Sequence, residues 1–413
     1  MARETTDIDG LLRITTAPLA LPAGLRDQLP PRAQERRARA RAVLERFAEW
    51  GYELVVPPAY EREDSIARGL SERAKRDVVR FVEPASGHVV ALRPDMTPQI
   101  ARIAATRYPS RSIPLRLMYE GSVLRTPRGR SRKLRQIAQA GVELLGWSSV
   151  DADVEVIRVA LAALAALGLG DVRVELSHAA IANELVALVP PSRREMLVDA
   201  LSARDLATIR RIADEPRALA AIEAALRFAG PASLLESAVP SALDERPSVR
   251  AAIDELRLVA RSLDEAGLSA RTLVDLGEVR GLGYYTGVSF VLLDDGVGEP
   301  VGAGGRYDEL LAQYGAARPA TGCAIDLELV DEALAKNNAR EIDPRRVLLV
   351  GPSAHRRSAA ARLRERGWIV AECDSAQLDG ASPEELSSFA RVLLCGDGVA
   401  FDRADPQKQN WLE

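Results

Sequence analysis

The chain has 413 residues, a formal net charge of -4 and a pI near 5.7, so two or three domains with a large core are expected. Acidic and basic residues balance, and these totals give no reason to expect a nucleic-acid-binding protein. Cys323, Cys373 and Cys395 lack CxxC spacing and neighbouring histidines, which argues against a metal site or a disulfide and favours a cytoplasmic protein.

No stretch predicts a membrane-spanning or targeting segment. The most apolar run, Val159–Gly170, is far shorter than the roughly 20 residues that a bilayer requires. The N-terminus carries early acidic residues and no continuous apolar stretch. We therefore predict that Val159–Gly170 is a buried helix.

The first predicted elements alternate between helix and strand. Residues Pro31–Trp50 have helical spacing of apolar residues, and Gly51 ends that helix. The sequence YELVVPP then predicts a strand that stops at Pro57. Two short strands, Arg80–Glu83 and His88–Arg93, follow and are joined by a turn.

Asp95 and Thr97 lie two residues apart, just before a helix that Pro98 starts at its first turn. Locally, a helix cap by Thr97 is a sufficient explanation of this pattern. A ligand contact by both side chains is the alternative interpretation.

The stretch Leu115–Gly146 predicts two strands, Leu115–Leu124 and Ile137–Leu145, on either side of a basic loop. The loop is rich in cations, namely Arg125, Arg128, Arg130, Arg132, Lys133 and Arg135. Guanidinium groups suit phosphate or carboxylate ligands, which favours an anion-binding or partner-binding loop. A solvated run of charge explains the composition equally well.

Gln139 and Glu143 follow this loop at a spacing of four, which places both on one face of a strand with Gly141 between them. Their apolar neighbours predict a covered sheet, where a carboxylate needs a partner. That partner is either an arginine or a small zwitterionic ligand.

The next elements predict a helical region inserted in the sheet. A long helix from Asp151 to Leu167 and a short strand Val172–Leu176 come first, and residues 180–267 are helical in pattern with breaks at prolines. A strand Tyr285–Leu293, a return rich in glycine and a helix Asp308–Tyr314 follow. The return contains Gly302, Gly304 and Gly305, which permit close approach of a ligand or of backbone.

The C-terminal part predicts a separate unit. We expect a core over residues 1–330, a linker over 331–344 and a small α/β unit over 345–413 with three strands and two helices. The unit shows no combination of basic and aromatic residues typical of RNA binding. We interpret its larger aromatic residues as packing or docking residues, namely Trp368, Phe389, Phe401 and Trp411.

Several motifs, in order, resemble those of class II aminoacyl-tRNA synthetases, and histidyl-tRNA synthetase in particular. They are a helix and strand ending at Pro57, LRPDMTPQIAR, the stretch Leu115–Gly146, RGLxYYTG and GxGGRYD. The resemblance covers residues 18–330. It implies an α+β fold with an antiparallel sheet flanked by helices, a helical insertion and a dimeric core.

The resemblance also implies residue roles in binding histidine. Arg125 corresponds to the arginine of motif 2. Asp95 and Thr97 correspond to contacts of the α-ammonium, with Asp95 in place of a glutamate. Gln139 and Glu143 correspond to amino-acid contacts, Arg280 to a contact of the carboxylate, and Tyr285, with Glu143, to a contact of the imidazole.

The departures concentrate where a synthetase holds ATP. Pro127 replaces an acidic residue and Lys133 replaces an arginine, while Gly283 replaces an acidic residue before the tyrosine pair. In TGCAIDLELVDEAL, Leu329 replaces the phosphate-binding arginine and Asp326 a glycine. Each hydrogen-bonded contact to a charged group contributes roughly 1.5–3 kcal/mol, so loss of the Pro127 and Leu329 contacts is expected to impair ATP binding or activation on the order of a hundredfold to ten-thousandfold.

A retained amino-acid pocket with a lost ATP pocket resembles the regulatory subunits of ATP phosphoribosyltransferase. That resemblance implies a non-catalytic protein without a cofactor, which forms a hetero-oligomer with a short catalytic subunit in the first step of histidine biosynthesis. It also implies a self-dimer and L-histidine as a feedback ligand, with no tRNA. The alternatives are an active histidyl-tRNA synthetase and a free-standing histidine-binding paralogue.

Overall fold

The computed structural model describes residues 20–110, 113–126, 134–237, 239–244, 246–280, 283–337, 343–396, 399–404 and 411. The chain forms two compact units, Met1–Lys336 and Asn337–Glu413. No helix among the described residues is both long enough and apolar enough to cross a membrane.

The described helices of the first unit precede, interrupt and follow its main sheet. They are α1 (Arg32–Glu49), α2 (Glu63–Ala67), α3 (Glu72–Arg76), α4 (Thr97–Arg107), α5 (Val150–Ala166), α6 (Ala179–Ala187), α7 (Arg194–Ser202), α8 (Leu206–Ile212), α9 (Pro216–Arg227), α10 (Ser241–Asp244), α11 (Pro247–Glu265) and α12 (Leu327–Asn337). Short 3-10 turns are formed by Pro191–Arg193, Ala232–Glu236, Ser269–Arg271 and Leu311–Tyr314. The interval expected as a linker, 331–344, therefore begins within α12.

The described strands of the first unit form two sheets. They are β1 (Glu53–Leu54), β2 (Tyr60–Arg62), β3 (Arg80–Val82), β4 (Val89–Leu92), β5 (Leu115–Leu124), β6 (Gln136–Leu145), β7 (Arg173–His178), β8 (Ala229–Pro231), β9 (Thr272–Asp275), β10 (Val288–Leu293), β11 (Gly302–Arg306) and β12 (Ala320–Asp326). The large sheet has the order β1-β5-β6-β12-β11-β10-β7-β9-β8, and the small sheet β2-β4-β3. Among the described strand pairs of the first unit only β1–β5 and β7–β9 are parallel, which confirms the predicted antiparallel sheet with flanking helices.

Alternation along β6 separates the two faces of this sheet. Ala138, Ala140, Val142 and Leu144 lie in the main core, together with apolar residues of α1 and α5. Ile137 and Leu145 lie in a second core on the other face, with residues of α4. Gln139 and Glu143 share that second face, as the strand period requires.

Several predicted elements differ in extent from those observed. The YELVVPP strand is reduced to Glu53–Leu54, the strand after Tyr285 starts only at Val288, and of Asp308–Tyr314 only Leu311–Tyr314 forms a 3-10 turn. The delayed strand has a physical cause, because the Thr286 hydroxyl accepts a hydrogen bond from the Asp308 N–H at 2.9 Å and fixes this segment as a turn. The predicted cap by Thr97 is wrong, since Met96 is the N-cap residue and Thr97 already lies in α4.

The insertion is helical, as predicted, with one addition. Helices α6 to α11 occupy most of 180–267, and their breaks include the predicted prolines. The unpredicted β8 forms at the Gly230–Pro231 break, where it pairs with β9.

The second unit is a four-stranded sheet with helices on it. Its elements are β13 (Arg346–Val350), α13 (Ser353–Glu365), β14 (Ile369–Cys373), α14 (Ser375–Asp379), α15 (Pro383–Leu386), β15 (Arg391–Gly396) and β16 (Val399–Asp402), with strand order β14-β13-β15-β16. The predicted three strands form the parallel part, while α14 and the antiparallel β16 were not predicted.

The aromatic residues of this unit pack within it. Trp368 and Trp411 meet edge to face with ring centroids 5.1 Å apart, and Arg346 stacks over Phe389. The side chain of Phe401 lies outside the described residues. For the three described residues, packing accounts for their presence without a base-stacking role.

Candidate functional site

A cavity of about 200 Å³ lies in the first unit against β6, β11 and β12. Five of the six predicted histidine-binding residues line it, namely Asp95, Thr97, Gln139, Glu143 and Tyr285. Three separate stretches contribute them: the turn before α4 together with the first residue of that helix, strand β6 and the turn before β10. Arg125 also lines this cavity.

Glu143 is the most deeply placed acid of the cavity, with 1% of its surface exposed. Two glycines make room for it. A Cβ atom on Gly322 of β12 would lie 1.7 Å from Glu143 Oε2, and one on Gly141 would lie 2.4 Å from the hydroxyl of Tyr119. Close strand packing therefore depends on the absence of side chains at both positions.

Hydroxyl groups, and not an arginine, are the described hydrogen-bond partners of this carboxyl group. Tyr119 donates to Oε1 at 3.3 Å and Tyr307 donates to Oε2. Of the two alternatives for its partner, an arginine does not pair with Glu143 among the described residues, and a small ligand stays a prediction. Because hydroxyl groups carry no charge, they compensate a buried carboxylate only in part.

Burial raises the pKa of Glu143 to about 8, against the opposing hydrogen bonds of Thr97, Tyr307 and Tyr119. The nearby Asp95 charge contributes to the same upward shift. At neutral pH the group is therefore mainly a neutral acid, which both donates and accepts a hydrogen bond.

The free energy of unfolding is expected to depend on pH through Glu143. Its pKa rises from an ordinary 4.5 to about 8 on folding, so the folded state keeps a proton that the unfolded state releases between these values. Stability from this group is complete below the lower value and falls as pH rises to the upper one, by up to about 5 kcal/mol at about 1.4 kcal/mol per pKa unit. Urea unfolding at several pH values measures this loss, and Glu143→Gln should remove that part of the slope. An unchanged slope in the variant would contradict the assignment.

Two buried polar atoms in the cavity lack a hydrogen-bond partner among the described residues, namely Gln139 Oε1 and the Tyr284 hydroxyl. Buried polar atoms without partners are rare in folded proteins, because each is costly to remove from water. The Tyr284 ring is fixed between Tyr285 and Tyr307, with centroids 5.2 and 5.3 Å away. A polar ligand would satisfy both atoms.

Arg125 and Asp95 face each other at the cavity, with Nη2 and Oδ2 3.5 Å apart. The Nε of Arg125 also donates to the carbonyl of Pro94 at 2.6 Å. The Arg135 carbonyl accepts from the backbone N–H of Arg125. The remaining predicted loop cations, Arg128, Arg130, Arg132 and Lys133, lie outside the described residues with Pro127, and the anion role of the loop stays a prediction.

Arg280 is placed away from the cavity lining. Its side chain is 52% exposed, and its Nε lies 3.7 Å from Glu278 Oε2. Glu278 lies close to two other acids, Glu175 and Asp275. A contact of Arg280 with a ligand carboxylate therefore stays a prediction.

The two departures within TGCAIDLELVDEAL have distinct positions. Leu329 packs against the main core, partly buried, and supplies no charge to the cavity. Asp326, at the end of β12, lines the cavity directly. An acid therefore lines the β12 end of the cavity.

Sequence reasoning missed the three tyrosines around Glu143. Tyr119 and Tyr307 donate to it, and Tyr284 lines the same cavity. Two of them lie in quoted motifs, YYTG and GGRYD, but only Tyr285 was given a role. Tyr119 is the register partner of Gly141 in the β5–β6 pair, so pairing the two predicted strands in this register would have placed it beside Glu143.

Comparisons with known proteins point in one direction. The sequence model of the family described as histidyl-tRNA synthetase matches residues 24–330. An ATP phosphoribosyltransferase regulatory subunit of Anaeromyxobacter sp. (strain Fw109-5) is 42% identical over 79% of this chain and 96% of its own length.

Solved structures agree with the sequence comparison. An ATP phosphoribosyltransferase regulatory subunit/histidyl-tRNA synthetase from Bacillus halodurans C superposes with a TM-score of 0.77 and 27% identity, covering 93% of this chain and 100% of that one. A histidine–tRNA ligase subunit from Alicyclobacillus acidocaldarius gives a TM-score of 0.66 and 33% identity, covering 77% of this chain and 98% of that one.

Proposed function

Because the chain belongs to the ATP phosphoribosyltransferase regulatory subunits, which share the histidyl-tRNA synthetase domain, we propose that it is a non-catalytic subunit that a short catalytic subunit requires for activity. The reaction would be the first step of histidine biosynthesis. The cavity around Glu143 would bind L-histidine and report its concentration to the partner.

The observation that carries this proposal is the contrast between the two ends of one cavity. Its inner end has an acid for an ammonium group and an array of hydrogen-bonding groups around Glu143. Its end at β12 has Asp326, while the neighbouring Leu329 offers no cation. Among the described lining residues the cavity thus offers contacts for an amino acid, and Arg125, which faces Asp95, is the one guanidinium group that a polyphosphate would meet.

Histidine fits the inner end by its functional groups. Asp95 is the acid for the α-ammonium group, and Arg125 is a cation for the carboxylate. A neutral imidazole has one donor and one acceptor nitrogen, and a largely protonated Glu143 complements either. The buried atoms of Gln139 and Tyr284 without partners would complete the contacts.

Feedback inhibition would require that histidine binds one arrangement of the complex more tightly than another. Coupling between two sites is typically about 1–3 kcal/mol, or roughly a 5- to 150-fold change in affinity. The ligand would act on the partner through this difference.

Reconstitution tests the role directly. The purified chain is mixed with a short-form ATP phosphoribosyltransferase catalytic subunit, and phosphoribosyl-ATP formation is followed with and without histidine. We expect no reaction from this chain alone, a gain of rate on mixing, and inhibition by histidine that Gln139→Ala weakens. A catalytic subunit whose rate ignores this chain would contradict the proposal, and Leu258→Ala on the exposed face of α11 serves as the control variant.

We also propose that two copies associate through the edge of the large sheet at β1. This short edge strand and the residues that follow it present two exposed apolar side chains, Leu54 at 52% and Val56 at 79% exposure. Exposed edge strands favour pairing with a second chain, and apolar side chains strengthen such contacts.

Val56→Asp is expected to shift the protein toward monomer, because a charge would be buried in the contact between copies. Light scattering coupled to size exclusion measures the mass of both proteins at equal concentration. The matched control is Leu258→Asp, which places the same charge at a similarly exposed apolar position on α11. If both variants keep the wild-type mass, the β1 edge is not the dimer contact.

A further inference from the structure

The N-terminal end of α12 adjoins the cavity. The helix runs from Leu327 to Asn337, and the residue just before it, Asp326, lines the cavity. The first N–H groups of a helix have no partner within it and carry partial positive charge, which makes such an end a ready site for a phosphate.

In this chain two of those N–H groups are already used. Asp326 Oδ1 accepts hydrogen bonds from the N–H of Glu328 at 3.0 Å and of Leu329 at 3.2 Å. Only 7% of the Asp326 surface is exposed. Its carboxylate therefore stands where an entering phosphate would make its contacts.

A second acid at the same helix end engages the nearby cations. Glu328 lies in the first turn and is held by Arg26 at 2.5 Å and Arg36 at 2.9 Å. These two arginines are thereby engaged with a carboxylate of their own chain. Among the described lining residues, Arg125 is the only guanidinium group, and it already faces Asp95.

We propose that Asp326 is a specificity-determining residue that excludes phosphate from the β12 end of the cavity, so that the cavity accepts a small zwitterionic or cationic amino acid and refuses nucleotides. The inference rests on the proposed function, because it concerns the same cavity. It goes further because it assigns the exclusion of nucleotides to the Asp326 carboxylate, which caps the N-terminus of α12, in addition to the lack of an arginine at position 329.

A matched pair of substitutions separates charge from capping. Asparagine caps helices about as well as aspartate, so Asp326→Asn keeps the cap and removes the charge. The variants are Leu329→Arg alone and Leu329→Arg combined with Asp326→Asn, and their thermal unfolding should coincide. Titration calorimetry with Mg-ATP measures nucleotide binding to the full chain, and a separate titration with histidine measures the amino-acid site.

We expect wild type and Leu329→Arg to show weak ATP binding or none. The combined variant should bind ATP at least roughly tenfold more tightly than Leu329→Arg, because it lacks one repelling charge near contact distance. Equal ATP affinity in the two variants, whether measurable or absent, overturns the proposal, and so does tight ATP binding by wild type. The histidine titration tests the proposed function separately. If wild type does not bind histidine, the sensor role is wrong, but the comparison of ATP affinities still tests the role of Asp326.

Discussion

Replacing Arg306 by methionine is expected to destabilise the first unit by about 3–5 kcal/mol, the usual effect of leaving one buried charge without its partner. Arg306 and Asp153 are 6% and 1% exposed, and two nitrogens of the guanidinium contact Asp153 Oδ2 at 2.7 and 3.1 Å. The same guanidinium binds the carbonyls of Trp147 and Ser149, so it also fixes the turn before α5.

Chemical unfolding of the variant measures this loss. Arg306→Met combined with Asp153→Leu removes the orphaned carboxylate and should recover a large part of it. The control is Arg41→Met, because Arg41 and its partner Glu45 form an exposed surface pair. The effect of this control should stay within about 1 kcal/mol. If Arg306→Met lowers the free energy of unfolding no more than Arg41→Met does, the buried Arg306–Asp153 pair does not have the stabilising role assigned to it.

Gly322→Ala is expected to lower histidine affinity on the order of ten- to hundredfold, since displacement of one charged or strongly polar contact removes roughly 1.5–3 kcal/mol. The new Cβ would lie 1.7 Å from Glu143 Oε2, so the carboxyl group must leave its position between Tyr119 and Tyr307. Overpacking of this kind also lowers stability, typically by about 1–3 kcal/mol.

Calorimetry with histidine and thermal unfolding measure the two effects. Gly170→Ala is the control, because a Cβ there meets nothing within 4 Å. Adding Glu143→Ala to Gly322→Ala removes the collision with the carboxyl group but leaves the Val142 carbonyl oxygen 2.7 Å from the new Cβ, so it should recover part of the stability without restoring histidine binding. Full histidine affinity in the Gly322 variant would show that Glu143 is not a ligand contact.

Local periodicity predicted most of the fold because it acts over a few residues. The pair β5 and β6, the helix α5 and the parallel strands of the second unit follow from alternation or from helical spacing of apolar residues. The spacing of Gln139 and Glu143 also predicted correctly that both would share one face of β6.

The surroundings of Glu143 could not be predicted from local spacing, because they come from distant parts of the chain. Tyr307 follows Glu143 by 164 positions, and the Arg306–Asp153 pair spans 153. Only the register of β6 with β12 places Gly322 opposite Glu143 and makes the carboxyl group fit. Strand lengths such as that of β1 likewise depend on the pairing of neighbouring strands and not on propensity alone.

The measurement that tests the central claim most directly is histidine-dependent exchange of labelled pyrophosphate into ATP by the purified chain alone. This exchange reports adenylate formation and needs neither tRNA nor a partner protein. If the chain is a non-catalytic subunit, we expect no exchange above the level without histidine, because Asp326 caps the N-terminus of α12 and Leu329 supplies no cation. Robust exchange at the rate of an active synthetase would contradict it and identify the chain as a histidine-activating enzyme.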